Sequence, residues 1–227
     1  MKLKILFAYN FVAVLFLLSS CGDINELHDS YLQHGETIYT GKIDSAVVLS
    51  GNKRVLLRYW VSDIKAAKLQ VYWLSRTDSI LLDIPVKPES VPVEVYIPDL
   101  PEGSLYFELF TLNKDMINKS IAYNLGGNVY GDKYLVTLLN RTIKNNVFIP
   151  LTGKLTINWL GTVEKSIGCD IEYTNITGGK VKKRVPTTEN VTIYTDVARD
   201  LKYRTLYLPE KTAIDTFYTV YKSVPLN

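Results

Sequence analysis

Histidine, cysteine and methionine are almost missing from this sequence: 227 residues hold two of each. So few ligands cannot build a His-rich metal centre or a zinc ribbon, and no metal or other cofactor is expected. His28 and His34 both fall in a polar stretch that precedes the first strand-like segment. A Ser-His-Asp arrangement needs a rigidly held imidazole, and neither position offers one. No GxSxG, HExxH, phosphate-binding loop or EF-hand pattern occurs. The 23 acidic residues include no pair set in apolar surroundings, as a glycosidase would need, so the chain does not read as an enzyme. What is abundant is tyrosine: 16, with 3 Trp, in a chain that is 47% hydrophobic and 22% charged. That balance permits a sizeable core, argues against disorder and favours strands.

The excess positive charge is an export signal. Lys2 and Lys4 precede an apolar run from Ile5 to Leu18, interrupted by Asn10 and followed by Ser19-Ser20-Cys21. The run falls short of the ~20 residues a spanning helix needs and reads as a secretory leader. Leu18-Ser-Ser-Cys21 resembles the bacterial lipobox, which implies acylation of Cys21 and a mature chain anchored by its lipid. Gly22-Asp-Ile-Asn-Glu26 resembles the acidic surface-export signal of Bacteroidota lipoproteins. The expected location is therefore the outer membrane, facing outward. Loss of the leader leaves 24 cations against 23 carboxylates, a net charge of +1 in place of +3, so no nucleic-acid footprint remains. The one remaining cysteine, Cys169, shares a strand face with Ile171 and Tyr173 and reads as a buried structural thiol.

From Thr37 onward short alternating runs recur between turn signals. They include Arg54–Val61, Lys68–Trp73, Pro92–Ile97, Leu105–Thr111, Lys154–Trp159, Asp170–Tyr173, Val191–Tyr194 and Thr216–Tyr221. Ser50-Gly-Asn52, Gly126-Gly127 and Gly178-Gly179 read as turns between them. Asp132–Asn140 is the one stretch that could form a helical turn. Strands at this spacing predict β-sandwiches. An offset of about 100 residues brings Tyr59 onto Trp159, Val71-Tyr-Trp73 near Ile171-Glu-Tyr173, and Ser104-Leu-Tyr106 onto Thr205-Leu-Tyr207, which suggests two copies of one sandwich.

Leu100-Pro-Glu-Gly-Ser-Leu-Tyr106 resembles the tyrosine corner of Greek-key sandwiches, in which the hydroxyl bonds a backbone group. Leu201 and Tyr207 repeat the spacing without the Pro-Gly turn. Trp159 resembles the core tryptophan of strand B in fibronectin type III domains. These resemblances imply an all-β chain of two tandem immunoglobulin-like, fibronectin type III-like sandwiches. The expected order is a lipoprotein signal peptide (1–21), a tether (22–36), a first sandwich (37–137) and a second (138–227). Asp78-Ser-Ile80, Leu100-Pro-Glu-Gly103, Val129-Tyr-Gly-Asp-Lys-Tyr134 and Leu139-Asn-Arg-Thr142 resemble an uncharacterised domain family of Bacteroidota lipoproteins, which implies a setting near SusC/SusD-type glycan uptake and carries over no catalytic residue.

Period-2 reasoning sorts the aromatics. Val55, Leu57, Tyr59 and Val61 share one face, so Trp60 and Arg58 point outward. Trp73 falls on a core face and Tyr72 outward, and Tyr96 also faces out. Trp60, Tyr72, Tyr96 and Arg58 are thus the candidate glycan-stacking residues. Gly126–Asp132 is a second candidate, as a loop. Asp44-Ser-Ala46 and Asp78-Ser-Ile80 resemble O-glycosylation acceptors of Bacteroides-type envelopes. The expectation is a non-catalytic surface lipoprotein that captures or presents a polysaccharide or oligosaccharide. The alternative is a structural or adhesive spacer that contacts other envelope proteins.

Overall fold

The computed structural model describes residues 39–86, 88 and 90–226. Cys21, the tether and both histidines therefore lie outside the described residues. From Thr40 onward the chain forms one compact unit. It contains four antiparallel sheets and two separate apolar cores.

The first seven strands build one pair of sheets. β1 (Ser45–Ser50), β2 (Val55–Trp60) and β5 (Val93–Ile97) pair in the order β1-β2-β5. β3 (Lys68–Trp73), β4 (Asp78–Asp83), β6 (Gly103–Leu112) and β7 (Tyr123–Val129) pair in the order β4-β3-β6-β7. Alternation dictates what lies between the sheets: Val55, Leu57 and Tyr59 of β2 meet Leu69 and Val71 of β3 and Phe107 and Leu109 of β6, all essentially inaccessible to water. Each such aliphatic side chain contributes roughly 1.5–3 kcal/mol by leaving water.

A short helix, α1 (Asp132–Thr137), follows, its first-turn N–H groups of Lys133 and Tyr134 donating to the Glu102 carboxylate at 2.7 and 2.6 Å. The second pair of sheets repeats the first. β8 (Ile143–Ile149), β9 (Lys154–Trp159) and β12 (Val191–Tyr194) form one sheet, with β9 central. The other runs β11 (Lys180–Pro186), β10 (Ser166–Asn175), β13 (Val197–Tyr207), β14 (Phe217–Tyr218), and β15 (Lys222–Ser223) also pairs with β13. Each half thus pairs its first, second and fifth strands against its fourth, third, sixth and seventh, the A-B-E and C′-C-F-G order of a fibronectin type III sandwich.

Strand pairing corrects the repeat. Leu69 faces Thr111, and its counterpart Cys169 faces Thr205. Thr205 therefore corresponds to Thr111, and the match of Ser104-Leu-Tyr106 with Thr205-Leu-Tyr207 is out of register. Both buried threonines do the same work. Thr111 N–H donates to Ser120 Oγ and Thr205 N–H to Thr219 Oγ1, while each threonine carbonyl accepts from the backbone of the same partner.

Neither tyrosine corner survives. Tyr106 is 57% exposed on the outer face of β6, and Phe107, which has no hydroxyl, turns into the core instead. Tyr207 is buried, but its hydroxyl donates to Leu139 O at 2.5 Å, ahead of β8 and far from any corner before β13. The supposed Gly126-Gly127 turn lies inside β7. Gly127 is needed there for close approach, because a Cβ would sit 2.4 Å from Val48 Cγ1 of β1.

The two halves are stitched by the loop between β13 and β14. Glu210 accepts from Ser50 Oγ (2.8 Å), Asn128 Nδ2 (2.8 Å) and the Tyr130 hydroxyl (3.0 Å). Asp215 accepts from Asn52 N–H at 2.8 Å and from both Nε and Nη2 of Arg54 at 2.9 and 2.6 Å. Ile214 N–H donates to Ser50 O, and a Cβ on Gly51 would fall 2.6 Å from Asp215 Oδ2. Phe217 sets its edge against Tyr134 and Tyr130. Burial pushes the Glu210 carboxyl up, but its three donors outweigh this and hold it below the usual range. The bidentate Arg54 contact does the same for Asp215.

Candidate functional site

The four outward side chains proposed for stacking do not form one platform. Trp60, Arg58 and Tyr96 stand on the β1-β2-β5 sheet, and Tyr72 stands on the opposite sheet. Alternation settles in from out; it does not say which sheet a strand joins. On the first of these faces Arg58 Nε donates to Glu94 at 2.7 Å, so its charge is already paired. Tyr96 is 54% exposed, yet the Arg54 guanidinium lies 5.0 Å from its ring centre and occupies one face. Trp60 is half-buried at the far end of β2, facing Ser45.

Tyr72 belongs to a different constellation. It sits opposite Glu108 in the β3–β6 ladder, beside Phe110, whose ring meets it edge-on at 5.9 Å. The outer face of β6 thus presents Tyr106, Glu108 and Phe110 in alternation. The β3–β4 connection turns back over this row. Leu74, Ser75 and Arg76 all adopt left-handed backbone angles, with φ of 49°, 55° and 65°. For residues with a Cβ this conformation costs on the order of 1 kcal/mol each, and strain of this kind persists where its surroundings enforce it. The turn places Arg76 over Tyr72 and Phe110, 5.9 and 5.4 Å from their ring centres, while Arg76 Nε donates to Glu108 at 2.7 Å. That hydrogen bond raises the arginine pKa further and keeps the guanidinium charged.

Between these groups lies a cleft of about 240 Å³, lined by Tyr72, Trp73, Arg76, Ser104, Tyr106 and Glu108 among others. The exposed Tyr106 ring offers an apolar face, the half-buried Tyr72 ring the face that Arg76 does not cover, and a fixed Arg–Glu pair offers donors and acceptors beside them. Alternation in the sequence marks Tyr72 as outward, but the corner motif claims Tyr106, and no local pattern singles out Arg76 or Glu108. The Gly126–Asp132 segment supplies no second site: its first half is strand β7 and Asp132 opens α1. Cys169 is buried as expected, against Thr205 Oγ1 at 3.7 Å, and burial pushes its thiol pKa up. Among the described residues no group of three or more His, Cys, Asp and Glu could hold a metal ion, and no helix is long and apolar enough to cross a membrane.

A family model, DUF4998, described as a domain of unknown function, matches residues 21–217. The chain belongs to the DUF4998 family. No curated protein matches it. Among solved structures, a two-domain fibronectin type III segment of chicken tenascin is similar to the DUF4998 chain at 15% identity, covering 81% of this chain and 97% of that one with a TM-score of 0.31. The chicken CNTN1 FN1-FN3 domains are similar at 9% identity, covering 81% and 65% with a TM-score of 0.41. The fold of this DUF4998 chain rests on its own strand order, which needs no support from likenesses so distant.

Proposed function

We propose that this protein is a non-catalytic surface lipoprotein that holds a glycan in the Tyr72–Tyr106 cleft on behalf of a polysaccharide-uptake system. The observation that carries the reading is the cleft itself: two outward tyrosines flank a salt-bridged Arg76–Glu108 pair in a recess of about 240 Å³. A pyranose ring has an apolar face that stacks on a phenol and hydroxyls that bond carboxylate and guanidinium groups. Anchoring rests on acylation of Cys21, and the acidic residues Asp23 and Glu26 support outward display; other envelope proteins are the expected neighbours. Affinity electrophoresis of the full-length protein in detergent against a panel of neutral polysaccharides tests the cleft. At least one polymer should retard the wild type, and Tyr106→Ala and Tyr72→Ala should each weaken the retardation about tenfold while Trp60→Ala leaves it. Retardation that depends on Trp60 and not on Tyr106 overturns the assignment. A Cys21→Ala variant should leave the membrane fraction.

A spacer role is favoured by one separate observation. Glu210 and Asp215 clamp the first sandwich with six hydrogen bonds from the ends of β1 and β7 and the residues beside them, a stiffer connection than independent binding modules need. If no glycan on the panel binds, the rigid pair of sandwiches acts as a strut between the membrane and a protein partner.

A further inference from the structure

The second sandwich carries a charge pattern on the face that corresponds to the aromatic row of the first. Along β10 the outward residues are Asp170, Glu172 and Thr174. Each is flanked by a cation on both neighbouring strands. Asp170 lies between Arg184 and Arg204, Glu172 between Lys182 and Lys202, and Thr174 between Lys180 and Arg199. Three rungs result, with cations roughly 10 Å apart across each; the Asp170 and Glu172 rungs lie roughly 7 Å apart along the strands, and an irregularity in the β10–β13 ladder displaces the third.

The charges are layered by depth. The Asp170 side chain is 2% exposed and Glu172 26%, whereas Lys180 and Arg199 are 76% exposed and Arg184 58%. Within the network six cations share three carboxylates, the third being Asp200, which holds Lys180 and Thr174 Oγ1 at 3.1 and 2.9 Å. Asp170 and Glu172 are fixed as anions beneath the cations. Burial raises the Asp170 carboxyl pKa, but Arg184 and Arg204 overcome it; the Tyr221 hydroxyl and Lys202 bring Glu172 down to about 2. The surface therefore shows solvent an excess of positive charge held in two rows, one along β11 and one along β13. An open groove of about 730 Å³ runs over the two lower rungs, a size that suits a small ligand or a polymer segment.

We infer that this groove binds an acidic polysaccharide, a chain bearing carboxylates or sulfates, as a site separate from the aromatic cleft and independent of whether that cleft takes a sugar. Charge complementarity selects a polyanion. Single-stranded nucleic acid needs free aromatic faces for its bases. Here Arg204 covers Tyr218 at 4.0 Å and Tyr221 at 4.8 Å, and Lys202 lies 4.7 Å over Tyr221. A bilayer surface needs apolar side chains beside the cations. The apolar residues at this groove, Tyr173, Val181, Leu201, Val224 and Leu226, all belong to the core below it or pack against it. Cations spaced on two parallel rows fit a flexible linear chain with repeated single charges.

The test uses the full-length protein in detergent, with polygalacturonate and dextran sulfate as probes, neutral dextran as the matched control, and phosphatidylglycerol vesicles and an oligothymidylate as rival polyanions. At least one acidic polysaccharide should bind, neutral dextran should not, and the apparent affinity should fall at least tenfold between 50 and 200 mM salt. Lys182→Gln with Lys202→Gln should weaken binding about tenfold, with an unchanged far-ultraviolet spectrum showing that the sheet is intact. Should the double variant misfold, Lys180→Gln with Arg199→Gln, which touches only the most exposed pair, serves in its place. Equal retention by neutral dextran, salt-independent binding, unchanged affinity in a folded variant, or preference for vesicles or the oligonucleotide overturns the inference.

Discussion

The two sandwiches share a frame and differ in what they hang on it. On the outer face of the larger sheet of each half, Tyr72 faces Glu108 in the first, while its counterpart Glu172 faces Lys202 in the second. One face is aromatic with a single ion pair; the other is a lattice of charge. The difference extends inward. Ahead of the first strand of each half lie Gly41 and Arg141. Both are tied to the conserved frame position on the sixth strand of their half, Gly41 O accepting from Thr111 Oγ1 and Arg141 N–H donating to Thr205 Oγ1. Gly41 is a bare backbone turn, whereas Arg141 is fully buried, donates to Gly161 O and Glu189 O, and lies 5.1 Å over Trp159. The tryptophan in turn meets Tyr203, whose hydroxyl donates to Arg141 O. A repeated fold thus constrains backbone pairing and leaves both faces and pillars free to diverge.

The sharpest way to break that comparison is at the pillar. Arg141→Ala should destabilise the second half by about 3 kcal/mol, since it leaves a cavity on Trp159 and removes the donor to the part-buried carbonyls of Gly161 and Glu189. Gly41→Ala, which meets only the Asp63 side chain at 3.2 Å, should cost well under 1 kcal/mol. Urea unfolding followed by tryptophan emission checks both, and equal costs would mean the two positions are not distinct in kind. Next in size, Asp215→Ala should cost about 1–2 kcal/mol by stranding Arg54 and the Asn52 N–H, and calorimetry should then resolve two transitions where the wild type shows one. On the aromatic face, Tyr106→Ala should reduce glycan affinity about tenfold, a change of ~1.4 kcal/mol, and leave stability within about 0.5 kcal/mol because the ring is exposed.

The smallest effect is in acid. Glu172 titrates near 2 in the folded chain against an ordinary 4.5. Its ionised form is therefore favoured by folding; the stabilisation is complete above about pH 4.5 and disappears as pH falls towards 2. Asp170 and Asp200 are lowered in the same sense. The Tm of the second half should drop by a few degrees over that interval, and Glu172→Gln should flatten the dependence. If the first half loses as much, the charge lattice is not what sets acid sensitivity.

Much of the frame was legible because it depends on alternation. β3, β9 and β12 appear at the residues where hydrophobic period-2 runs place them, and Tyr59, Trp159 and Cys169 occupy the expected core faces. Strands with little apolar alternation escaped, among them β11, where four of the seven residues are Lys or Arg. The aromatic cleft was half legible. Tyr72 could be read as outward, but Arg76 reaches it only through three consecutive left-handed residues that no local pattern announces. Tyr106 was misassigned because the Leu100-Pro-Glu-Gly-Ser-Leu-Tyr106 spacing mimics a corner, and only the pairing of β6 with β3 fixes the ring on the outer face. The charge lattice was invisible for the same reason: Asp170 meets Arg184 and Arg204 across two strand pairings.

The loop that joins the halves also sets an order of assembly. Ser50 waits for Glu210, 160 residues further on, and Asn52 waits for Asp215, 163 further on. Contacts so distant in sequence form late, after each core has closed on its local pairings. During synthesis the first sandwich must therefore pass some time as a folded body with Arg54 and Asn52 facing water, and its junction with the second is sealed only when the stretch around Asp215 has emerged.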